Sequence, residues 1–306
     1  MSRRPEVVCA GEVLRDRFPD GRSTPGGAPA NVAFHAAALG CRARLFSAVG
    51  ADESGEGLLQ WLAAGGVDTA LVARTDAAPT GFVDVLETAK GPAYEIGTPA
   101  AWDFLPSPTG LGSGPGVCVF GTLAQRHPAA RRAIRDLVAR ARSAGWTAFA
   151  DLNLRAPFFN EETVLWTLRN ADVLKLNNEE LRVVSGMLGA RGDDDSLFNG
   201  LLREFSVPCG VLTLGAGGAI VREDDVTVQA PAPDIEVADT VGAGDAFCAV
   251  AAAALAGGSG LLAALPWCIE TAAFVASQPG ATPSLPRELL SRVRRGLQIE
   301  SGDGLD

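Results

Sequence analysis

Asp239-Thr240-Val241-Gly242-Ala243-Gly244-Asp245-Ala246-Phe247 is a polar turn that runs through two closely spaced glycines and a carboxylate into an alanine-rich apolar run. That order predicts a loop opening a helix. The first N–H groups of a helix lack intrahelical partners and carry partial positive charge, so Gly242, Ala243 and Gly244 let the chain approach a phosphate closely. Asp245 then stands beside the anion. A carboxylate is a poor phosphate ligand, but it suits a base that takes a proton from a hydroxyl attacking that phosphate. Two ordinary alternatives compete: Asp in a first turn often serves only as a cap or dipole partner, and Gly-x-Gly before a helix is common.

Around this stretch the composition is that of a globular α/β chain. Its 306 residues are 47% hydrophobic and 20% charged, enough for a sizeable core. A net charge of −10 disfavours a nucleic-acid surface while leaving room for a local basic pocket. The six cysteines, Cys9, Cys41, Cys118, Cys209, Cys248 and Cys268, are scattered without a Cys-x-x-Cys pair, and His35 and His127 are the only histidines. Buried thiols are expected rather than disulfides or a zinc site. The N-terminal residues carry no signal-peptide apolar core, and the best apolar run, 246–255, is too short to span a bilayer. The expectation is a reduced, cytoplasmic protein with no membrane partner.

Continuous apolar runs mark buried parallel strands at Val7-Val8-Cys9-Ala10, at 44–50, at 117–122, at 147–151, at 171–176 and at 209–214. Helical patterns lie between them, at 32–40, 55–64 and about 127–143, with further packed helices at 246–255 and 261–276. Several strands end in polar or glycine residues: Gly11-Glu12, Asp151-Leu152-Asn153-Leu154-Arg155, Asn177-Asn178-Glu179-Glu180 and Gly215-Ala216-Gly217-Gly218. Ligands of open α/β sheets bind at such carboxyl ends. The rhythm breaks at 80–96, where an alternating strand, a turn at Lys90-Gly91-Pro92 and a return strand form a β excursion. The pattern predicts a three-layer α/β/α fold with a mostly parallel central sheet and a small extra sheet. Asn177 with Glu180 has the spacing of a helix cap, and Thr213 to Gly218 that of a bare glycine turn. Neither a Walker A loop nor a dinucleotide fingerprint is present, which disfavours a dehydrogenase.

The opening motif resembles the C-terminal signature of the ribokinase-like (PfkB) carbohydrate kinase family, and the likeness runs over nearly the whole chain. Gly26-Gly27-Ala28-Pro29-Ala30-Asn31, with Gly11-Glu12 and Asp16 upstream, resembles the family's N-terminal motif in its fructokinase form. Tyr94-Glu95-Ile96, followed by Pro99-Ala100-Ala101-Trp102-Asp103, is similar to that branch too, and Asp151 to Arg155 resembles its Asp-x-Asn-x-Arg segment with Leu152 in place of proline. The resemblance implies an ATP-dependent sugar kinase, most simply a fructokinase, in one domain over 1–306 with a β lid built from parts of about 12–24 and 80–104. Asp245 is then the catalytic base and Gly242, Ala243 and Gly244 the anion hole. Asp16, Gly27, Asn31, Tyr94, Asn153 and Arg155 face the sugar, and Thr213, Gly215, Gly217 and Gly280 the nucleotide. Asn177 and Glu180 bear on Mg2+ through water, and backbone oxygens near Asp239, Val241 and Gly280 hold K+. The lid also implies a homodimer surface. Where the family often has Asn-Ala near the start of its second C-terminal helix, this chain has Cys268-Ile269-Glu270-Thr271, so the adenine contacts differ.

Arg15 and Arg17 flank Asp16 where relatives carry apolar residues; they can pair with Asp16 or admit an acidic sugar such as 2-keto-3-deoxygluconate. Ribose or a nucleoside as acceptor, and a catalytically silent sugar or nucleotide sensor, are the remaining alternatives.

Overall fold

In the computed structural model, which describes residues 4–88, 91–112 and 114–299, β1 (Glu6–Ala10) leads into a polar hairpin, β2 (Leu14–Arg17) and β3 (Ser23–Gly26), and then α1 (Ala28–Ala38). β4 (Arg42–Gly50), α2 (Glu53–Ala64) and β5 (Val72–Thr75) follow, then the pair β6 (Gly81–Thr88) and β7 (Gly91–Ile96). The α/β alternation resumes with β8 (Val117–Phe120), α3 (Pro128–Ser143), β9 (Thr147–Asp151), α4 (Glu161–Arg169), β10 (Val173–Asn177), α5 (Asn178–Met187), α6 (Asp194–Glu204) and β11 (Cys209–Thr213). A hairpin of β12 (Ala219–Glu223) and β13 (Val226–Ala230) precedes α7 (Ala243–Ala256), α8 (Leu261–Ala276) and α9 (Arg287–Gly296). The turn expected at Lys90 and the polar tail expected at 300–306 lie outside the described residues.

The main sheet has nine strands in the order β13-β12-β11-β10-β9-β8-β1-β4-β5. It is parallel from β11 to β5, and β12 pairs antiparallel with both β11 and β13. β1 sits between β4 and β8, so the direction of winding reverses beside it, and the crevice at the carboxyl ends of β1 and β8 is a topological switch point. A second sheet of four strands, ordered β3-β2-β6-β7, joins the hairpin after β1 to the β excursion, with β2 and β6 parallel.

Strand alternation divides the core into two layers. Val7 and Cys9 of β1 pack with α1, α7 and α8, while Val8 and Ala10 pack with the layer that contains Ile134 and Leu137 of α3 and Phe198 of α6. α7 is buried from Ala246 to Ala254, and its run of alanines lets α1 and α8 come close on both sides. All six cysteines are free thiols in these apolar layers. No helix among the described residues is long and apolar enough to cross a membrane.

Trp102 illustrates how the core supports the second sheet. It is fully buried, with the Arg126 guanidinium 3.9 Å from its ring centre, and Arg126 makes two hydrogen bonds, at 2.8 and 2.9 Å, to the Asp103 carboxylate. The same arginine donates to the carbonyl of Gly97 at 2.9 Å. A buried, paired arginine lying on an aromatic face makes Trp102 a core anchor beneath β6 and β7.

Candidate active site

The turn 239–242 folds as its glycines require. Gly242 caps α7 in the left-handed region at φ 81°, and a β-carbon there would strike the backbone of Ala281. Asp239 ties this turn to the facing loop: one carboxylate oxygen accepts from Val241 N–H at 3.0 Å and the other from Gly280 N–H at 3.2 Å. Gly280 is itself left-handed at φ 78°.

Asp245 follows in the first turn of α7 and accepts a 2.8 Å hydrogen bond from Asn31 Nδ2, across a sequence separation of 214 residues. Burial pushes its carboxyl up to about 6; the Asn31 hydrogen bond opposes this, and the Asp151 charge adds to it. Asn31 is buried in α1, and its Oδ1 has no hydrogen-bond partner among the described residues. An unpaired buried acceptor is costly, so Oδ1 is an acceptor awaiting a donor.

Asp16 in β2 lies directly over Gly26, where a β-carbon would collide with its Oδ2, and next to Gly27, which is left-handed at φ 108° and closes on the carbonyl of Glu12. Burial raises Asp16 to about 6, with the Arg155 charge lowering it and Asp245 raising it further. Arg15 and Arg17 do not approach it as partners. Successive side chains on a strand point to opposite faces, so both arginines leave Asp16 behind. Arg17 instead pairs with Asp84 at 2.7 Å and stacks 3.5 Å from the Phe82 ring centre, while Arg15 lies so close to Gly57 that a β-carbon there would meet its Nη2.

Glu12, at the carboxyl end of β1, was no part of the expected site. It is buried, its carboxyl is raised to about 7 chiefly by burial, and it lines a small cavity with Thr122, Asp151 and Asn153. Asn153 adopts a left-handed conformation, φ 41°, that asparagine tolerates better than most residues. Glu12, Asp16 and Asp245 all feel the Arg155 charge, which lowers each carboxyl against the effect of burial.

Asn177 and Glu180 form a full capping box at the start of α5: Asn177 Oδ1 accepts from Glu180 N–H at 2.8 Å, and Glu180 Oε2 from Asn177 N–H at 2.9 Å. Glu180 Oε1 also accepts from Leu154 N–H at 2.8 Å, which holds the segment carrying Asn153 and Arg155 against β10. Burial raises the Glu180 carboxyl.

Lys175 of β10 is buried and donates to both oxygens of Asp151 at 2.9 and 2.8 Å. A β-carbon on Gly244 would lie 3.4 Å from its Nζ, so a fixed cation stands beneath the first turn of α7. Burial works against the charged ammonium, but the negative groups around it, Asp151 foremost and Glu180 among them, together raise its pKa.

Thr213 and the Gly215–Gly217 turn follow β11, further along the same carboxyl edge. Asp16, Gly27, Asn31, Asn153, Arg155 and Asp245 are thus brought around the switch point, whereas Thr213, Gly215 and Gly217 follow β11, three strands along the sheet from β8. Tyr94 is set apart: it lies on the outer strand β7 opposite Val85 and is 53% exposed.

The model of the pfkB family of carbohydrate kinases matches residues 5–288. Fructokinase from Klebsiella pneumoniae is 31% identical over 82% of this chain and 84% of its own length, and aminoimidazole riboside kinase from Salmonella typhimurium is 29% identical over 79% and 78%. Among solved structures, a double mutant of Vibrio cholerae fructokinase bound to fructose, ADP and potassium superposes with a TM-score of 0.85, covering 96% of this chain and 99% of that one at 26% identity. With a family match over nearly the whole length, a three-layer α/β/α fold and a Gly-Ala-Gly-Asp turn at the edge of its sheet, the chain belongs to the pfkB family and is a carbohydrate kinase.

Proposed function

We propose that this kinase transfers the γ-phosphoryl group of ATP to a hydroxyl of D-fructose, with Asp245 as general base and the 242–244 turn as anion hole. The observation that carries this reading is the enclosed Asp245 carboxylate at the N-terminus of α7, held by Asn31 and sharing Arg155 with Asp16. In the transfer, a sugar hydroxyl oxygen forms a bond to the γ-phosphorus, the bond to the β-phosphate bridging oxygen breaks, and the hydroxyl proton passes to Asp245. The backbone N–H groups of the turn receive the phosphoryl oxygens, and Arg155 stabilises charge on them. Asp16 and the free Oδ1 of Asn31 accept hydroxyl hydrogen bonds from the sugar, and Asn153 and Gly27 shape the floor. Thr213, Gly215, Gly217 and Gly280 line the nucleotide side.

Among the described residues no group of three or more His, Cys, Asp or Glu side chains could hold a metal. Both oxygens of Glu180 already accept backbone N–H groups. This donor set fits a magnesium ion carried by ATP phosphates and reaching Asn177 and Glu180 through water. When bound, magnesium neutralises phosphate charge. The carbonyls of Asp239 and Val241 accept no hydrogen bond among the described residues, which suits a potassium ion beside the turn. The four-stranded sheet is read as a lid, with the exposed Tyr94 available to cover a sugar face or a second subunit. The buried free thiols suit a reducing cytoplasm.

Fructose is favoured over a keto acid because Arg17 is paired with Asp84 and Arg15 lies against Gly57. The test is a coupled ADP-release assay with magnesium and ATP across D-fructose, D-ribose, 2-keto-3-deoxygluconate, adenosine and aminoimidazole riboside. Turnover concentrated on fructose is expected. Preference for the keto acid or a riboside would overturn the substrate, and binding without turnover would make the protein a sensor.

A pH profile tests the base separately. Asp245 acts as the anion, so protonation below about 6 removes activity: kcat/KM should rise with pH through about 6 and then level. A flat profile across this range contradicts the assignment.

A further inference from the structure

α1 carries two polar side chains toward the N-terminus of α7, one helical turn apart. Asn31 donates to Asp245 at 2.8 Å, and His35, four residues on and therefore on the same face, contacts the carbonyl of Ala281 through Nε2 at 3.0 Å. A carbonyl can only accept, so Nε2 carries the proton and the neutral ring leaves Nδ1 as a bare acceptor, which has no partner among the described residues. His35 is fully buried, and burial lowers its pKa against the opposing effect of the Ala281 contact. Burial keeps the ring neutral, and the Ala281 carbonyl selects this tautomer. A polar ring is tolerated here only because it makes this hydrogen bond.

The residue it holds matters. Ala281 is the backbone against which Gly242 presses, closely enough that no β-carbon fits between them. The segment 280–281 is therefore fixed from two sides, by Asp239 through Gly280 N–H and by His35 through the Ala281 carbonyl. Releasing either frees the surface that sets the left-handed turn at Gly242.

We infer that His35 is a positioning residue that fixes the phosphate-facing turn through Ala281, and that α1 thereby joins the sugar contact at Asn31 to the nucleotide side of the site. The inference rests on the functional reading above for the roles of Asn31 and Gly242. It assigns to His35 no contact with either substrate.

The experiment compares His35→Phe, His35→Ala and His35→Gln in the full chain. Phe fills the space without a donor, and Gln restores a donor at about the position of Nε2. Amide hydrogen exchange is followed in peptides covering 240–246 and 278–283, alongside KM for ATP. In the Phe and Ala variants exchange in these two segments should rise by about 5- to 10-fold, the scale of one buried hydrogen bond. KM for ATP should rise several-fold with a smaller change in kcat, and Gln should restore both. Unchanged exchange in the Phe variant, or an equal rise throughout the chain, would overturn the inference, because a space-filling histidine predicts the first and general destabilisation the second. The functional reading fails differently, through turnover that persists in Asp245→Asn with exchange around 240–246 unaltered.

Discussion

Asp245→Asn should bind sugar and ATP and turn over about 10^3-fold more slowly, a loss of about 4 kcal/mol of transition-state stabilisation. The substitution keeps the shape of the side chain, and the amide oxygen can still accept from Asn31 Nδ2, so the 2.8 Å contact that fixes the first turn of α7 survives. Only the proton acceptor is removed. Stability should move the other way. The folded carboxyl is raised from its ordinary value near 4 to about 6 mainly by burial, so the wild type loses stability as pH rises through that window. The amide has no such dependence. At pH 8 the variant should therefore be more stable by about 3 kcal/mol, and at pH 4 the two should be nearly equal. Steady-state kinetics with denaturant unfolding at both pH values checks this. A rate loss below tenfold would falsify the base, and a destabilised variant would attribute the lost rate to misfolding.

Lys175→Met should cost about 3–5 kcal/mol of folding stability at pH 7. Lys175 and Asp151 are both buried and joined by two hydrogen bonds at 2.8 and 2.9 Å, and removing the lysine strands a carboxylate in the core. Asp151→Asn should recover much of the deficit in the Lys175→Met background, because it removes the stranded charge. Turnover should fall too, because Nζ lies beneath Gly244 in the turn assigned to the anion hole. Urea unfolding of the single and double variants measures the pair. A deficit under about 1 kcal/mol would mean that water replaces the lysine.

How much of this was legible varied with the kind of signal. β1, β4 and β8 to β11 could be read because fully buried strands are continuous apolar runs, and their polar carboxyl ends pointed to the crevice. The β2–β3 hairpin is four residues by four, polar and half-exposed, so only its neighbourhood was foreseeable. α4 and α6 do carry start signals, Asn160 before Glu161-Glu162 and Asp193 before Asp194-Asp195, with the caps accepting from Thr163 and Ser196 N–H groups. These short amphipathic helices were recoverable from capping chemistry. The orientation of Arg17 was also recoverable, since a period of two separates it from Asp16. Lys175 and His35 were not. A lone lysine in a strand looks solvated until the register places Asp151 beside it on β9, and His35 meets a partner 246 residues away. Such contacts are consequences of topology, and no local pattern encodes them.

The burial of every thiol has a practical side. Maleimide reagents find no native target on the exterior of the folded protein, so a fluorophore attached at one introduced position reports from that position alone. Paired dyes, one on the outer strand β7 and one on α3, would turn the distance between the small sheet and the main body into an optical signal during turnover.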